Sequence, residues 1–434
     1  MKAPSTACRI LFTFAVILNG SALAEDQHAV RVELHQQDGA WQLLRDGKPY
    51  FVQGGGGRGS LKALVAAGGN SVRTWGVDRI GPLLDEAQAL GVSVTVGIWL
   101  GQPRHGFNYN SARQVENQKE QVRKAILKYK DHPAVLMWGL GNEMEVGHEE
   151  DAVLWLAIND LAALAHKLDP NHPTMTVFAE IDARKVQSVH KLCPEIDIVG
   201  INSYSTVASV PKRYKEAGGV KPYIMAEFGP PGSWETPRNA FGSAVELTST
   251  KKAEIYADAW RQAVAAHKDN CLGGYAFIWG NKQEYTATWF GMFAPDGTRL
   301  GAVDAMTELW SGKPPANRCP AIKSLRIEGT DDVDPAATVQ ATLDASDPES
   351  DPITVKWVLQ SEQKKFGAGG DKEPVPPVFA ETIIQSSEKS AKVKLPKEPG
   401  SYRLFVFVTD DHGGGATANV PLRVKGPAGA GKAK

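Results

Sequence analysis

Two glutamates follow short apolar segments and are candidates for acid–base and nucleophilic chemistry. Glu143 ends the segment Trp138–Glu143, and Glu227 lies within the segment Ile224–Gly229. Two carboxyl groups about 5–5.5 Å apart, one protonated and one ionised, can break a glycosidic bond with retention of configuration. If both segments are strands of one barrel, their carboxyl ends meet at the face where barrel enzymes place catalytic groups. The pair therefore predicts carbohydrate chemistry at that face.

Three polar side chains at the ends of strand-like segments are suited to support these glutamates. Asn142 directly precedes Glu143 and can hydrogen-bond a sugar 2-hydroxyl, a contact that strengthens in the transition state. Arg73 can hold a carboxylate in its ionised form by charge and hydrogen bonds. Tyr204 can donate its phenol to Glu227. We expect all three at the same site.

Three tryptophans are candidate substrate-binding residues. Trp279 ends the last strand-like segment and offers a flat apolar face for a pyranose ring. Trp75 and Trp99 end two earlier segments and can do the same. The alternative for each is that its ring fills the interior of the barrel.

Other acidic residues compete with the chosen pair. Glu145 lies two residues beyond Glu143, and side chains two apart on an extended chain face the same way. Glu180 and Glu284 also follow strand-like segments, but their flanking residues are less suited to the chemistry. Glu143 and Glu227 remain the preferred pair.

Short apolar runs alternate with longer amphipathic runs between about residues 30 and 310, which is typical of parallel βα units. The predicted strands are Tyr50–Gln53, Ser71–Trp75, Ser93–Trp99, Val135–Gly139, Thr174–Phe178, Ile196–Ile201, Tyr223–Ala226 and Gly274–Trp279. The predicted helices include Val115–Tyr129, Asp151–Leu168, Lys251–Ala266 and Ala302–Trp310. Eight such units predict an α/β fold, a closed (β/α)₈ TIM barrel of about 250 residues.

A run of four glycines, Gly54–Gly57, follows the first predicted strand. A doubly wound open sheet would carry a spaced G-x-G-x-x-G turn there to bind phosphate. This run lacks that spacing, so the barrel is preferred over the open sheet. We interpret the glycines as a flexible first βα loop close to the substrate.

Composition divides the chain into five parts. The N-terminus has positive charge, a short apolar run and a small-x-small pattern, which predict a signal peptide. Beyond the prolines of the predicted linker, alternating segments with Pro, Gly and Asp turns predict a small all-β immunoglobulin-like sandwich. The predicted parts are a signal peptide at 1–24, the barrel at 25–312, a linker at 313–319, the sandwich at 320–425 and a disordered tail at 426–434.

Three cysteines remain after the predicted signal peptide. An oxidising compartment permits a disulfide, and three cysteines leave one unpaired. Cys271 immediately precedes the eighth strand, and Cys319 follows the last barrel helix, which returns the chain to the same face. We predict a bridge between these two, with Cys193 as the rival partner.

The flanking residues of both glutamates resemble those of the clan A glycoside hydrolases. The resemblance rests on Asn142 and Glu143 after strand four, on Glu227–Gly229 in strand seven, and on Trp279 at the end of strand eight. It covers about residues 30 to 312. It implies that Glu143 is the acid/base and Glu227 the nucleophile, with Asn142, Arg73, Tyr204 and Trp279 in support.

Two further likenesses bear on the substrate. The leading hairpin, with its turn at Arg45–Pro49, resembles the entry to barrels of the β-galactosidase and β-glucuronidase type. The segment Gly69–Asp78 resembles fungal β-1,3-glucanosyltransferases, which favours a β-glucan. Members of the clan often carry a histidine in the strand-six motif, where this chain has Asn202.

The resemblance implies a retaining β-glycoside hydrolase acting on a β-linked glycan through a glycosyl-enzyme intermediate. The alternatives are a β-glucan transglycosylase on the same site and a non-catalytic carbohydrate-binding barrel. Paired glutamates with Asn142 favour activity over binding alone. The expected partner is an oligosaccharide or polysaccharide, and no metal or organic cofactor is implied.

Charge and hydropathy argue against nucleic-acid-binding and membrane-spanning proteins. The formal net charge of -1 gives no general attraction to nucleic acid or anionic membrane. No segment after the predicted signal is long and apolar enough to span a bilayer. The protein is expected to be secreted or periplasmic. The acidic segment Asp344–Pro352 can be either a calcium-binding turn, since carboxylates suit calcium, or a solvated turn.

Overall fold

Eight short apolar strands form a closed parallel barrel, as the sequence predicts. The structure is a computed structural model that describes residues 28–367 and 373–426. The strands are β1 Val52–Gly56, β2 Ser71–Arg73, β3 Ser93–Ile98, β4 Val135–Leu140, β5 Thr174–Ala179, β6 Ile198–Asn202, β7 Tyr223–Phe228 and β8 Cys271–Phe277. Each pairs in parallel with the strand before it, and β8 also pairs with β1, which closes the barrel.

Eight helices surround the barrel and follow the strands. They are α1 Leu61–Ala66, α2 Gly81–Ala89, α3 Ala112–Tyr129, α4 Ala152–Leu168, α5 Ala183–Leu192, α6 Val210–Glu216, α7 Ser249–Ala259 and α8 Gly301–Ser311. Helix α4 shows why they begin where they do. The Asp151 side chain accepts hydrogen bonds from the backbone N–H groups of Val153 and Leu154, which would otherwise lack partners at a helix start. The four predicted helices are confirmed.

A three-stranded antiparallel sheet precedes the barrel, formed by Val32–Gln37, Ala40–Arg45 and Lys48–Pro49. It packs through Leu43 and Val32 with residues at the amino ends of the barrel strands. The predicted leading hairpin is therefore confirmed.

A β-sandwich follows the barrel. One sheet contains β9 Ala321–Ile327, β10 Thr338–Ser346, β12 Ile383–Ser386 and β13 Ser390–Lys394, and the other contains β11 Thr354–Ser361, β14 Gly400–Thr409 and β15 Gly414–Val424. The two sheets enclose a separate apolar core. The predicted fold class, a TIM barrel with a C-terminal all-β sandwich, is confirmed.

The sandwich is joined to the barrel by more than the chain connection. The short strand Arg299–Leu300, which lies between β8 and α8, pairs in parallel with the start of β15. Arg299 also donates to the Asn317 carbonyl, and the Cys319 N–H donates to the Asp304 side chain. The predicted linker at 313–319 is thus bonded to the barrel near its end.

The predicted disulfide is wrong, because Cys271 and Cys319 are both free and buried. The Cys271 sulfur lies at the start of β8, 3.3 Å from the Gly273 carbonyl oxygen. The Cys319 sulfur lies instead at the sandwich junction, 3.5 Å from Arg299 Nε. The rival, Cys193, is also free and buried, with its sulfur 3.1 Å from the Trp155 carbonyl oxygen.

The acidic turn that followed β10 in the sequence is held by its own chain. Asp347 accepts hydrogen bonds from the N–H groups of Glu349 and Asp351, and Arg318 lies 2.8 Å from the Glu349 carboxylate. Among the described residues, no group of three or more His, Cys, Asp or Glu side chains is arranged to hold a metal ion.

The predicted signal peptide, at 1–24, and nearly all of the predicted tail, at 426–434, lie outside the described residues. Within 28–367 and 373–426, no helix combines the length and apolar character needed to cross a bilayer.

The interpretation of the glycine run as a flexible loop is wrong. Gly54, Gly55 and Gly56 belong to strand β1 and are buried. A Cβ atom on Gly55 would lie 2.5 Å from Cβ of Trp279, which is far closer than packed carbon atoms allow. The missing side chains leave room for the Trp279 ring inside the barrel wall.

We expect Gly55→Ala to destabilise the protein by about 3 kcal/mol, because the added methyl group must displace the Trp279 ring in a close-packed core. Gly76→Ala is the matched control, since nothing lies within 4 Å of a Cβ atom built there. Thermal unfolding followed by circular dichroism measures both. Equal melting temperatures for the two variants would contradict the packing role of Gly55.

Candidate active site

A cavity of about 810 Å³ opens at the carboxyl ends of the barrel strands. Six of the eight predicted site residues line it: Trp75, Trp99, Asn142, Glu143, Tyr204 and Glu227. Each follows or ends a different barrel strand, except for the adjacent Asn142 and Glu143. Parallel strands thus bring together residues that lie up to 152 positions apart, as Trp75 and Glu227 do.

Three donors converge on the Glu227 carboxylate. Oε1 accepts from Arg73 and from the Trp75 indole, both at 2.9 Å, and Oε2 accepts from the Tyr204 hydroxyl at 2.7 Å. Burial and the charge of Glu227 raise the pKa of Tyr204 well above its ordinary range, so the phenol keeps its proton. This arrangement suits an ionised carboxylate.

Arg73 acts from behind this carboxylate. The residue is 2% exposed and is not among those lining the cavity, so it contacts Glu227 and not the space that a substrate would fill. Its second guanidinium nitrogen donates to Asn142 Oδ1 at 2.6 Å. Asn202 Nδ2 lies 3.2 Å from the same oxygen. With its oxygen engaged by both, Asn142 is oriented to present its amide nitrogen to a ligand.

Glu143 lies in a less polar environment. Its backbone has a φ of 52°, in the left-handed region, and its N–H donates to the Val177 carbonyl at 2.9 Å. Asn202 donates to Oε1 at 2.8 Å, and the Arg104 guanidinium is 3.6 Å from Oε2. Burial, followed by the negative charge of Glu227, raises the pKa of Glu143 to about 7.

The competing acid Glu145 has a structural role. It is 1% exposed, 3.1 Å from Lys185 Nζ, and accepts a hydrogen bond from the Ala179 N–H at 2.8 Å. A carboxylate with both of these partners and no access to the cavity cannot reach a substrate. Its charge does add to the effects that raise the pKa of Glu143.

The second rejected acid, Glu180, lines the cavity but is fully engaged. Burial opposes ionisation, but hydrogen bonds from Ser203 and Thr206 outweigh it and lower the pKa of Glu180. Arg213 lies 2.7 Å from the same carboxylate. Glu180 therefore lines the cavity as an ionised side chain that is already paired with Arg213.

The expectation that Trp279 provides a face for a sugar is wrong. Its side chain is fully buried, its indole N–H donates to the Ser60 carbonyl at 3.0 Å, and its ring packs against Trp310. It belongs to the barrel core, opposite Gly55. Trp99 does line the cavity, and its side chain is 45% exposed.

Several cavity residues had no clear signal in the sequence. Asn202, noted only as a departure from the clan, is the donor that contacts Glu143. Trp234, which is 62% exposed, lies in the loop after β7 with its ring edge-on to Tyr204. Its position soon after Glu227 is the one signal that could have indicated it. Arg104, in the loop after β3, had none.

The chain is similar to one family of barrels. The profile of the Glycosyl hydrolases family 2, TIM barrel domain, matches residues 76–270. Human beta-glucuronidase is 26% identical over 182 residues, covering 38% of this chain and 26% of that protein. The chain thus spans about a quarter of the length of this relative. The predicted resemblance of this chain to clan A barrels of the β-glucuronidase type is confirmed. These matches do not support the predicted resemblance to β-1,3-glucanosyltransferases.

Solved structures show the same fold. Bacteroides uniformis beta-glucuronidase matches with a TM-score of 0.51 and 14% identity, over 91% of this chain and 48% of that one. A beta-glucuronidase from an uncultured Clostridium sp. matches with a TM-score of 0.53 and 17% identity, over 65% of this chain and 54% of that one. This chain therefore spans about half the length of these structures.

The raised pKa of Glu143 predicts a stability effect with a defined sign. From its ordinary value of 4.5 up to about 7, the folded chain holds a proton that the unfolded chain has lost. The free energy of unfolding should therefore fall as pH rises through this interval. Glu143→Gln removes the ionisation and keeps an oxygen for Asn202, so we expect it to raise the melting temperature at pH 8 more than at pH 4.5.

Glu388→Gln is the control, because Glu388 is an exposed glutamate on the sandwich. Melting temperatures measured across pH 4.5 to 8 test the effect. A pH-independent difference between Glu143→Gln and the unaltered chain would mean that Glu143 ionises as an ordinary surface glutamate does.

Proposed function

We propose that this protein is a retaining β-glycoside hydrolase, with Glu227 as nucleophile and Glu143 as acid/base. One observation carries the proposal: two carboxyl groups share a cavity in opposite environments. Glu227 receives three hydrogen bonds, and Glu143 has a pKa raised to about 7, partly by the charge of Glu227. Retaining hydrolysis needs one ionised and one protonated carboxyl group in this way.

In the first step, the Glu227 carboxylate attacks the anomeric carbon while Glu143 gives its proton to the departing glycosidic oxygen. The bond from Glu227 to the sugar forms as the bond to the leaving group breaks. Arg73 and Tyr204 hold the attacking carboxylate in place. The amide nitrogen of Asn142 is placed to donate to the sugar ring.

In the second step, Glu143 acts as the base. Esterification removes the negative charge of Glu227, which is one of the causes that raise the pKa of Glu143. The pKa of Glu143 therefore falls, and its carboxylate can take a proton from water. The water oxygen attacks the anomeric carbon, Glu227 leaves as a carboxylate, and two inversions give net retention.

Similarity to family 2 barrels supports the reaction class, and the named relatives are beta-glucuronidases. The cavity itself favours an uncharged sugar. Among the described residues that line it are six glutamates and three basic residues, Arg104, Arg238 and Lys282. Two of these already face carboxylates: Arg104 lies 3.6 Å from Glu143, and Lys282 lies 2.7 Å from Glu284. Of these three described basic residues, only Arg238 does not already face a carboxylate, so they offer little positive charge to a carboxylated sugar.

We therefore propose a neutral β-linked glycan as substrate, with β-glucan among the candidates and a β-glucuronide as the alternative. Aryl β-glucosides, β-galactosides and β-glucuronides offered to the purified protein separate these choices. Proton NMR of the first product distinguishes retention from inversion. Products longer than the substrate would identify transglycosylation, and binding without turnover of any glycoside would identify a carbohydrate-binding barrel.

Azide rescue tests the two roles. Glu227→Gly should lose turnover and regain it with azide, which attacks once and yields an α-glycosyl azide from a β-glycoside. Glu143→Gly should slow turnover about 10²–10⁴-fold on poor leaving groups, because protonation is lost. With azide and an activated aryl glycoside it should yield the β-glycosyl azide, since the covalent intermediate still forms.

Glu388→Gly is the control, as Glu388 is an exposed glutamate on the sandwich. Exchange of the two azide products between the variants would reverse the assignment. Full turnover by the variants at both Glu143 and Glu227 would refute the mechanism.

A further inference from the structure

The sandwich reaches into the cavity that holds the two catalytic candidates. Phe366, Gly367 and Glu373 belong to the segment that follows β11, and all three line the same cavity as Glu143 and Glu227. The wall of the cavity is therefore built from both parts of the chain. The substrate-binding residues expected from the sequence all lie in the barrel, so this contribution is new.

Phe366 presents an aromatic face to this space. Its ring stacks on that of Tyr285, with centroids 5.5 Å apart and an interplanar angle of 16°. The residue is 60% exposed, in contrast to Tyr285, which is 5% exposed. One face of the Phe366 ring is thus used for packing, and the rest is open to the cavity.

Tyr285 is held firmly beneath it. Its hydroxyl accepts a hydrogen bond from the Ala244 N–H at 2.8 Å. On the sandwich side, the Arg403 guanidinium lies 5.3 Å from the centre of the Tyr285 ring. Tyr285, which supports Phe366, is therefore held from both parts of the chain.

Glu373 fastens the Phe366 segment to the barrel. It is 5% exposed, and its carboxylate accepts from the Tyr285 N–H at 2.7 Å and from Gln363 Nε2 at 3.2 Å. The other carboxylate oxygen accepts from the Gly367 N–H at 3.2 Å. Glu373 thus joins the barrel loop after β8 to the residue that follows Phe366.

The junction around this segment is polar and buried. Arg403 pairs with Glu362 at 2.6 Å and donates to the Ala244 carbonyl at 2.9 Å. Asn419 donates to the buried Glu246 at 2.6 Å. Glu362 holds Arg403 within the sandwich, while Arg403 and Asn419 bond to the barrel residues Ala244 and Glu246. These last two contacts join the sandwich to the barrel.

We propose that the sandwich supplies a sugar-binding subsite of the cavity. Phe366 stacks on a pyranose ring there, and Glu373 positions Phe366 through its bonds to Gly367 and Tyr285. In this proposal the ring is a neighbour of the sugar attacked by Glu227, since Phe366 supplies none of the hydrogen bonds to Glu227. An open aromatic face matches the apolar face of a sugar. The inference rests on the proposed function, and it identifies oligosaccharides as better substrates than glycosides with one sugar ring.

The test compares Phe366→Ala, Phe366→Tyr and Ile384→Ala in the full chain. Ile384 is the control, since it is a 54% exposed apolar residue of β12 that is not among the cavity residues. The substrates are aryl glycosides with one ring and with three rings of the sugar preferred in the glycoside screen. Phe366→Ala should raise KM roughly tenfold on the longer substrate, the worth of one good aromatic contact, with a smaller change on the shorter one. Phe366→Tyr should restore the lower KM, and Ile384→Ala should match the unaltered chain.

Glu373 is tested by the same kinetic split. Glu373→Ala should raise KM on the longer substrate as Phe366→Ala does, with kcat affected less. Glu373→Gln keeps an oxygen that can accept from Tyr285 N–H and should restore most of the affinity. An equal loss of kcat on both substrates would assign Glu373 to stability alone and overturn its positioning role.

Binding measurements separate the two proposals. If the unaltered chain cleaves no glycoside, the proposed function fails. Calorimetry with laminaritetraose and cellotetraose then still reports on the subsite, and weaker binding by roughly tenfold in Phe366→Ala supports it. If Phe366→Ala and Ile384→Ala behave alike in both kinetics and calorimetry, the subsite is refuted and the hydrolase stands.

Discussion

The buried ion pair between Arg73 and Glu227 is the interaction on which the rest of the site depends. Removing both charges from water costs several kcal/mol per ion, and only good geometry with further hydrogen bonds offsets that cost. Trp75 and Tyr204 supply those bonds on the carboxylate. Because Glu227 is held ionised, its charge helps to keep the proton on Glu143. In the proposed mechanism, the charge of Glu227 thus helps to set the protonation state of Glu143.

Much of this arrangement could be predicted from the sequence. The alternation of apolar and amphipathic runs predicted all eight barrel strands. The rule that barrel enzymes place catalytic groups at the carboxyl ends of the strands predicted that Asn142, Glu143, Tyr204 and Glu227 would converge. Each of these residues is recognisable from its own short segment, because an apolar run followed by a polar residue marks a strand end. The sequence could not show that Asn202 would bond to Glu143, since that contact joins two neighbouring strands at a particular register.

The errors share one physical cause: they concern contacts between distant segments. Trp279 has the pattern of a strand-end aromatic residue, but its burial depends on the missing side chain of Gly55 across the barrel wall. The Cys271–Cys319 bridge failed because the last helix is followed by a junction with the sandwich. Glu373 bonds to Tyr285, 88 residues earlier, and no local pattern records such a partner.

The strand Arg299–Leu300 constrains how the barrel and the sandwich can evolve. It lies before the last barrel helix, yet its hydrogen bonds complete a sheet of the sandwich. A recombination event that exchanged the C-terminal region for another module would leave this strand unpaired at an exposed edge. It would also remove Asn419 from Glu246 and Glu373 from Tyr285. We therefore expect barrel and sandwich to be inherited together, with substitutions at their junction occurring in pairs.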